Sequence, residues 1–166
     1  MTPQNKKSDP PANGIENVLA KKPILPSETM PVKRPFTLLC VDDDPPLLRM
    51  EKRMIEPLGH NVETVASGAE ALERVRKGGI SLVLSDFQMP GMNGAKLLEA
   101  VKKVDPGIAV IIISSTMTTE LTRSLMNNGA SLILEKPIAQ EDLREAVTNV
   151  LATIGPIGQK PETGNE

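Results

Sequence analysis

A chain of 166 residues is long enough for one domain of ordinary size with tails, and its 19 Lys and Arg nearly balance its 21 Asp and Glu. Residues 36–154, which carry the apolar runs, hold 12 basic and 16 acidic side chains, so this part is acidic and has no basic stripe for nucleic acid. The single cysteine excludes an internal disulfide, and neither a membrane-length apolar run nor a signal-peptide core is present, which points to the cytoplasm.

Residues 1–35 contain seven of the 15 prolines and few large apolar groups, a composition that predicts a flexible Pro-rich tail. Thr37–Val41 is the first strand-like run, with Cys40 as a buried, inert thiol inside it. Asp42-Asp43-Asp44 follows at once. Asp44 suits a helix N-cap and Pro45 the first helical position, and Leu47, Met50, Met54 and Leu58 are spaced as a core-facing stripe up to Gly59. His60 falls in the next turn and is expected to be exposed. Asn61–Ala66 is a second strand. Ser67 with Glu70 forms a capping box for a helix that stops at Gly78-Gly79.

A third apolar run, Ser81–Ser85, ends on Asp86. Residues 89–94, Met-Pro-Gly-Met-Asn-Gly, form a loop in which Asn93 can cap a helix carrying Leu97, Leu98, Val101 and Val104. Ile108–Ile113 is continuously apolar, as in a central strand covered on both faces. Thr119–Asn128 has weak helix propensity, Leu132–Leu134 is a last strand, and Leu143, Ala146, Val147, Val150, Leu151 and Ile154 mark the final helix. Residues 155–166 repeat the tail composition of the N-terminus. The eight methionines are expected mainly as core filler.

Five strands alternating with helices imply an α/β fold, a parallel sheet with right-handed crossovers and helices on both faces. In such sheets ligands sit beyond the carboxyl ends of the strands. Asp42, Asp43, Asp86, Ser114 and Lys136 all fall at those ends. Two carboxylates about 4 Å apart repel by roughly 4 kcal/mol at an effective dielectric near 20, so the cluster calls for a cation or for bound protons.

Leu38–Pro45, Leu82–Gly94, Val110–Ser115 and Gly129–Pro137 resemble, in order and spacing, the receiver domain of two-component response regulators, and the likeness covers residues 36–154. The resemblance implies a doubly wound five-stranded sheet in the flavodoxin-like order 2-1-3-4-5. It implies a stand-alone, chemotaxis-receiver-like signalling module that takes a phosphoryl group from a histidine kinase or phosphotransfer protein onto Asp86. It also implies Mg²⁺ held by Asp43 and Asp86, by Asp42 through water and by the backbone carbonyl of Gln88. Lys136 and Ser114 would attend the phosphoryl group. A downstream protein would meet the face built from the fourth helix, fifth strand and fifth helix. No direct nucleic-acid or membrane contact is implied, nor enzyme activity beyond self-phosphorylation and its reversal.

The chain departs from the pattern at one place. Receivers usually carry Tyr or Phe three residues before the lysine, where this chain has Ile133, so no aromatic switch can operate there. Two other functions share parts of the signal. A haloacid-dehalogenase-like Mg²⁺-dependent phosphohydrolase also uses Asp-x-Asp after a strand, although Pro46 stands where Thr or Val is usual. A degenerate receiver would keep the fold as a binding module alone.

Overall fold

The structure, a computed structural model, describes residues 35–154; the two expected tails lie outside the described residues, apart from Pro35. Five parallel strands, β1 (Thr37–Val41), β2 (Asn61–Val65), β3 (Leu82–Asp86), β4 (Ala109–Ser114) and β5 (Leu132–Glu135), form one sheet in the order β2-β1-β3-β4-β5. The helices are α1 (Pro45–Ile55), α2 (Gly68–Arg76), α3 (Gly94–Val104), α4 (Thr119–Asn127) and α5 (Gln140–Ile154), with a 3₁₀ turn at Glu56–Leu58 after α1. The expected fold class and strand order are both found.

Strand alternation sorts the core into two layers. Leu39, Val41, Val83, Val110 and Ile112 pack with Ala71 and Val75 of α2, Leu97, Leu98 and Val101 of α3 and Leu125 of α4. Leu38, Cys40, Leu82, Leu84, Ile111 and Ile113 pack with Leu48 and Ile55 of α1 and Leu143, Val147 and Val150 of α5. Asp42, Asp86 and Lys136 continue the parity of Cys40, Leu84 and Leu134, which places all three beside α1 and α5. The Arg144 guanidinium donates to the Met54 carbonyl at 2.6 Å and ties α5 to α1.

Local chemistry accounts for most element ends. Ser67 Oγ accepts the Glu70 N–H at 3.2 Å, Asn93 Oδ1 that of Lys96 at 2.9 Å, and Thr118 Oγ1 that of Leu121 at 3.1 Å. Gly59, at φ 82, closes the turn that follows α1.

Several expectations are corrected. Asp44 occupies the N-cap position of α1, but its side chain caps nothing. Pro45 and Pro46 have no N–H to offer, and the Asp44 N–H itself donates to Asp42 Oδ1 at 2.9 Å. The buried residues of α1 are Leu48, Glu51 and Ile55, one position round from the expected stripe, while Met50 is 45 % exposed. Val104 also lies outward. Among the described methionines Met89 is buried in one core layer and Met92 and Met54 pack against the two layers, whereas Met50 and Met126 are exposed. His60 is half-buried: its Nδ1 accepts the Phe36 N–H at 3.4 Å and its ring meets Phe36 edge-on.

Candidate functional site

The carboxyl edge of the sheet gathers the charged groups because the strand register aligns their ends. Val41 pairs with Ser85, Asp86 with Ile113 and Ser114 with Glu135. The chain leaving each strand is then pinned to its neighbour. Phe87 N–H donates to the Ile113 carbonyl at 2.7 Å and Lys136 N–H to the Ser114 carbonyl at 2.9 Å. The peptide between Lys136 and Pro137 is cis.

Asp42, Asp43 and Asp86 each place a carboxylate oxygen within 4.8 Å of the others. Asp42 and Asp86 are buried, at 1 % and 8 % exposure, whereas Asp43 faces solvent. Lys136 Nζ lies 2.9 Å from Asp86 Oδ1 and 3.5 Å from Asp42 Oδ2. Burial raises the Asp86 carboxyl above the usual range, the Lys136 hydrogen bond and charge oppose this, and Asp42 and Asp43 add to the rise. Burial draws the Lys136 ammonium down, but the hydrogen bond and charge of Asp86, with those of Asp42, lift it above its ordinary value. Three carboxylates and one cation leave net negative charge in a donor set made only of hard oxygens, which fits Mg²⁺.

Ser114 ends β4 fully buried, whereas Ser115 and Thr116 are exposed. Its hydroxyl donates to the Thr116 carbonyl at 2.8 Å and accepts the Thr116 N–H at 3.1 Å, so it is closed into the β4–α4 loop. Gln88 is exposed in the loop directly after Asp86. That loop stays close to α3 because residue 94 is glycine. A Cβ there would stand 2.8 Å from the Asp86 carbonyl oxygen and 2.9 Å from Phe87 Cα.

One site neighbour escaped the sequence. Glu51 of α1, 7 % exposed, is pushed up to about 7 by burial first and by the Asp42 charge second. The signal was present in the spacing 48-51-55, which brings Glu51 onto the inner side of α1 with Leu48 and Ile55. Apolarity alone favoured the Leu47-Met50-Met54 row because it counts a carboxylate as outward-facing.

A parallel sheet in this order, with acidic groups after β1 and β3 and a lysine after β5, is the architecture of a phosphoryl-accepting signalling domain and not of a typical enzyme. The chain belongs to the response regulator receiver domain family, whose model matches residues 38–148. It is 33 % identical over 123 residues to the transcriptional regulatory protein GlrR of Escherichia coli (strain K12), covering 74 % of this chain and 28 % of that protein. With the sensor histidine kinase GacS of Pseudomonas protegens it shares 32 % identity over 153 residues, 85 % of this chain and 16 % of the kinase. The chain thus spans less than a third of these curated relatives.

A CheY-like receiver domain protein from Methanospirillum hungatei JF-1 superposes with a TM-score of 0.69 at 31 % identity, over 72 % of this chain and 96 % of that one. The family assignment displaces the phosphohydrolase reading, and Asp44, the second acid its Asp-x-Asp would need, lies outside the carboxylate group. Among the described residues no helix is long and apolar enough to cross a membrane.

Proposed function

We propose that Asp86 is the acceptor, taking the phosphoryl group of a phosphohistidine on a histidine kinase or phosphotransfer protein. Its carboxylate oxygen attacks phosphorus, the P–N bond breaks with its electron pair leaving on the imidazole, and an acyl phosphate forms. Asp43 and Asp86, with Asp42 through water and the Gln88 carbonyl, would hold Mg²⁺. Mg²⁺ held there would supply positive charge to the phosphoryl oxygens while the leaving imidazole takes the electron pair. Lys136 supplies a second positive charge, exchanging its pairing with Asp86 for one with the phosphoryl oxygens.

The observation that carries this reading is the 2.9 Å ion pair from Lys136 to Asp86 beside two further carboxylates. It supports the reading because a carboxylate, a counter-charge and further hard oxygen donors lie at one point.

The outward signal is assigned to Ser114. To reach a phosphoryl oxygen its hydroxyl must leave both partners at Thr116, and the loop leading to α4 moves with it. Ile133 packs into the layer that holds Leu121 and Leu125 of α4, so it fills the space beside that helix without a ring to rotate. A downstream protein would sense the change on the face of α4, β5 and α5. A buried lone cysteine, far above its usual thiol range through burial first, suits work in the cytoplasm.

Acetyl phosphate with Mg²⁺ tests the assignment by intact mass. One phosphoryl group is expected on the parent chain and none on Asp86→Asn, which preserves volume and removes the nucleophile. Equal labelling of both would overturn it. A parent chain that takes no label would be a degenerate receiver.

A further inference from the structure

A cleft of about 530 Å³ opens between α1 and α5 on the sheet face shared with Asp42, Asp86 and Lys136. Leu47, Met50 and Met54 line it from α1, Ile138 and Leu143 from the other side. Met50, 45 % exposed, stands toward the mouth, while Glu51, 7 % exposed, lies deeper. The volume falls in the range of small-molecule sites, which combine apolar walls with a few placed polar groups.

Glu51 is the polar group without an assignment. Among the described residues it makes no hydrogen bond and no ion pair, although it is more than nine-tenths buried and lines the cleft. Lys136 lines the same space, but its ammonium is taken by Asp86 and Asp42. Arg49 and Arg53 belong to a neighbouring depression and are exposed, where water and salt screen them. The charges acting on Glu51 are therefore two like-signed aspartates and one lysine that opposes them only from its pairing with Asp86 and Asp42, so among the described residues an ionised Glu51 has no cation in contact with it. A neutral spacer at this position would be served by leucine or methionine, which already line the walls.

We propose that this cleft is a binding site for a small organic cation, an apolar ring or chain ending in an amine or amidinium, with the Glu51 carboxylate as its counter-ion. The apolar body would bury against the methionines and leucines, and the head would supply the hydrogen bonds that Glu51 lacks. The elevated pKa follows from the same deficit: a cation bound at this point favours the ionised carboxylate, so affinity should rise with pH. Occupancy should also alter the labelling rate of Asp86 through Lys136. That consequence rests on the proposed function, whereas binding does not.

Benzamidine is a suitable probe, titrated into the full chain carrying ¹³C-methyl methionine, without Mg²⁺. Saturable shifts are expected at Met50 and Met54, with none at Met126 on α4. The affinity should fall by about tenfold in Glu51→Gln and by about as much in the parent between pH 8 and pH 5.5, the scale of a lost charge-assisted hydrogen bond. Ile138→Trp, which fills the cleft and keeps Glu51, should abolish the shifts. Absence of saturable shifts in the parent would overturn the site. So would equal affinity in Glu51→Gln, or binding that survives Ile138→Trp.

Discussion

Asp42 and Asp86 are about as buried as Glu51, and all three lie on the α1 and α5 side of the sheet, yet they meet burial differently. The aspartates share Lys136, at 3.5 and 2.9 Å, and its hydrogen bond and charge oppose the rise that burial imposes on Asp86. Glu51 has no such partner among the described residues and its pKa rises to about 7. An adjacent cation thus opposes the upward push that burial gives a carboxyl. The first condition suits the nucleophile proposed at Asp86; the second leaves a site that a cation could complete.

The largest test of this contrast is Glu51→Leu. Because the folded-state pKa lies above the ordinary 4.5, the folded chain holds a proton that the unfolded chain releases, and stability falls as pH rises from about 4.5 to 7. A rise to about 7 corresponds to roughly 3 kcal/mol. Urea unfolding should show Glu51→Leu more stable than the parent by about that amount at pH 8 and by little at pH 5. An equal gain at both pH values would make the difference one of packing and not of charge.

Lys136→Met should cost about 2 kcal/mol in chelator at pH 7, because it leaves the two aspartates without their cation. Added Mg²⁺ should recover much of that loss, since a bound ion stabilises the folded state by mass action. A loss unaffected by Mg²⁺ would mean that the ion and the lysine do not share the site.

Asp43→Ala should raise the melting temperature in chelator by about 3 °C, through relief of like-charge repulsion, and remove the further rise that Mg²⁺ gives the parent. A melting temperature that falls in chelator would show the three carboxylates to be unstrained.

The smallest expected effect is conformational. Beryllofluoride should shift amide resonances at the acidic site and over residues 114–128, with little change around Ile133. The hydroxyl–loop closure at Ser114 and Thr116 is what must open, and α4 buries only Leu125 to resist it. Remote changes centred on Ile133 and α5 would place the switch elsewhere.

Element order and strand ends were legible because each rests on local chemistry. The Ser67 and Asn93 caps, the apolar run of β4 and the stripe of α5 are signals carried within a few residues. The face of α1 was not legible, since Leu47-Met50-Met54 and Leu48-Glu51-Ile55 are both helically spaced and only packing chooses between them. Nor was the half-burial of His60, which depends on Phe36 arriving from the strand next to it.

The sequence by itself therefore determined the alternating architecture and which acids and which lysine end the strands, because periodicity and turn residues act at short range. The tertiary structure alone decided that Lys136 spans Asp42 and Asp86 while Glu51 meets no cation among the described residues. Residues 42, 51, 86 and 136 meet only once the sheet has assembled, and burial and Coulomb energy depend on everything brought within a few ångströms.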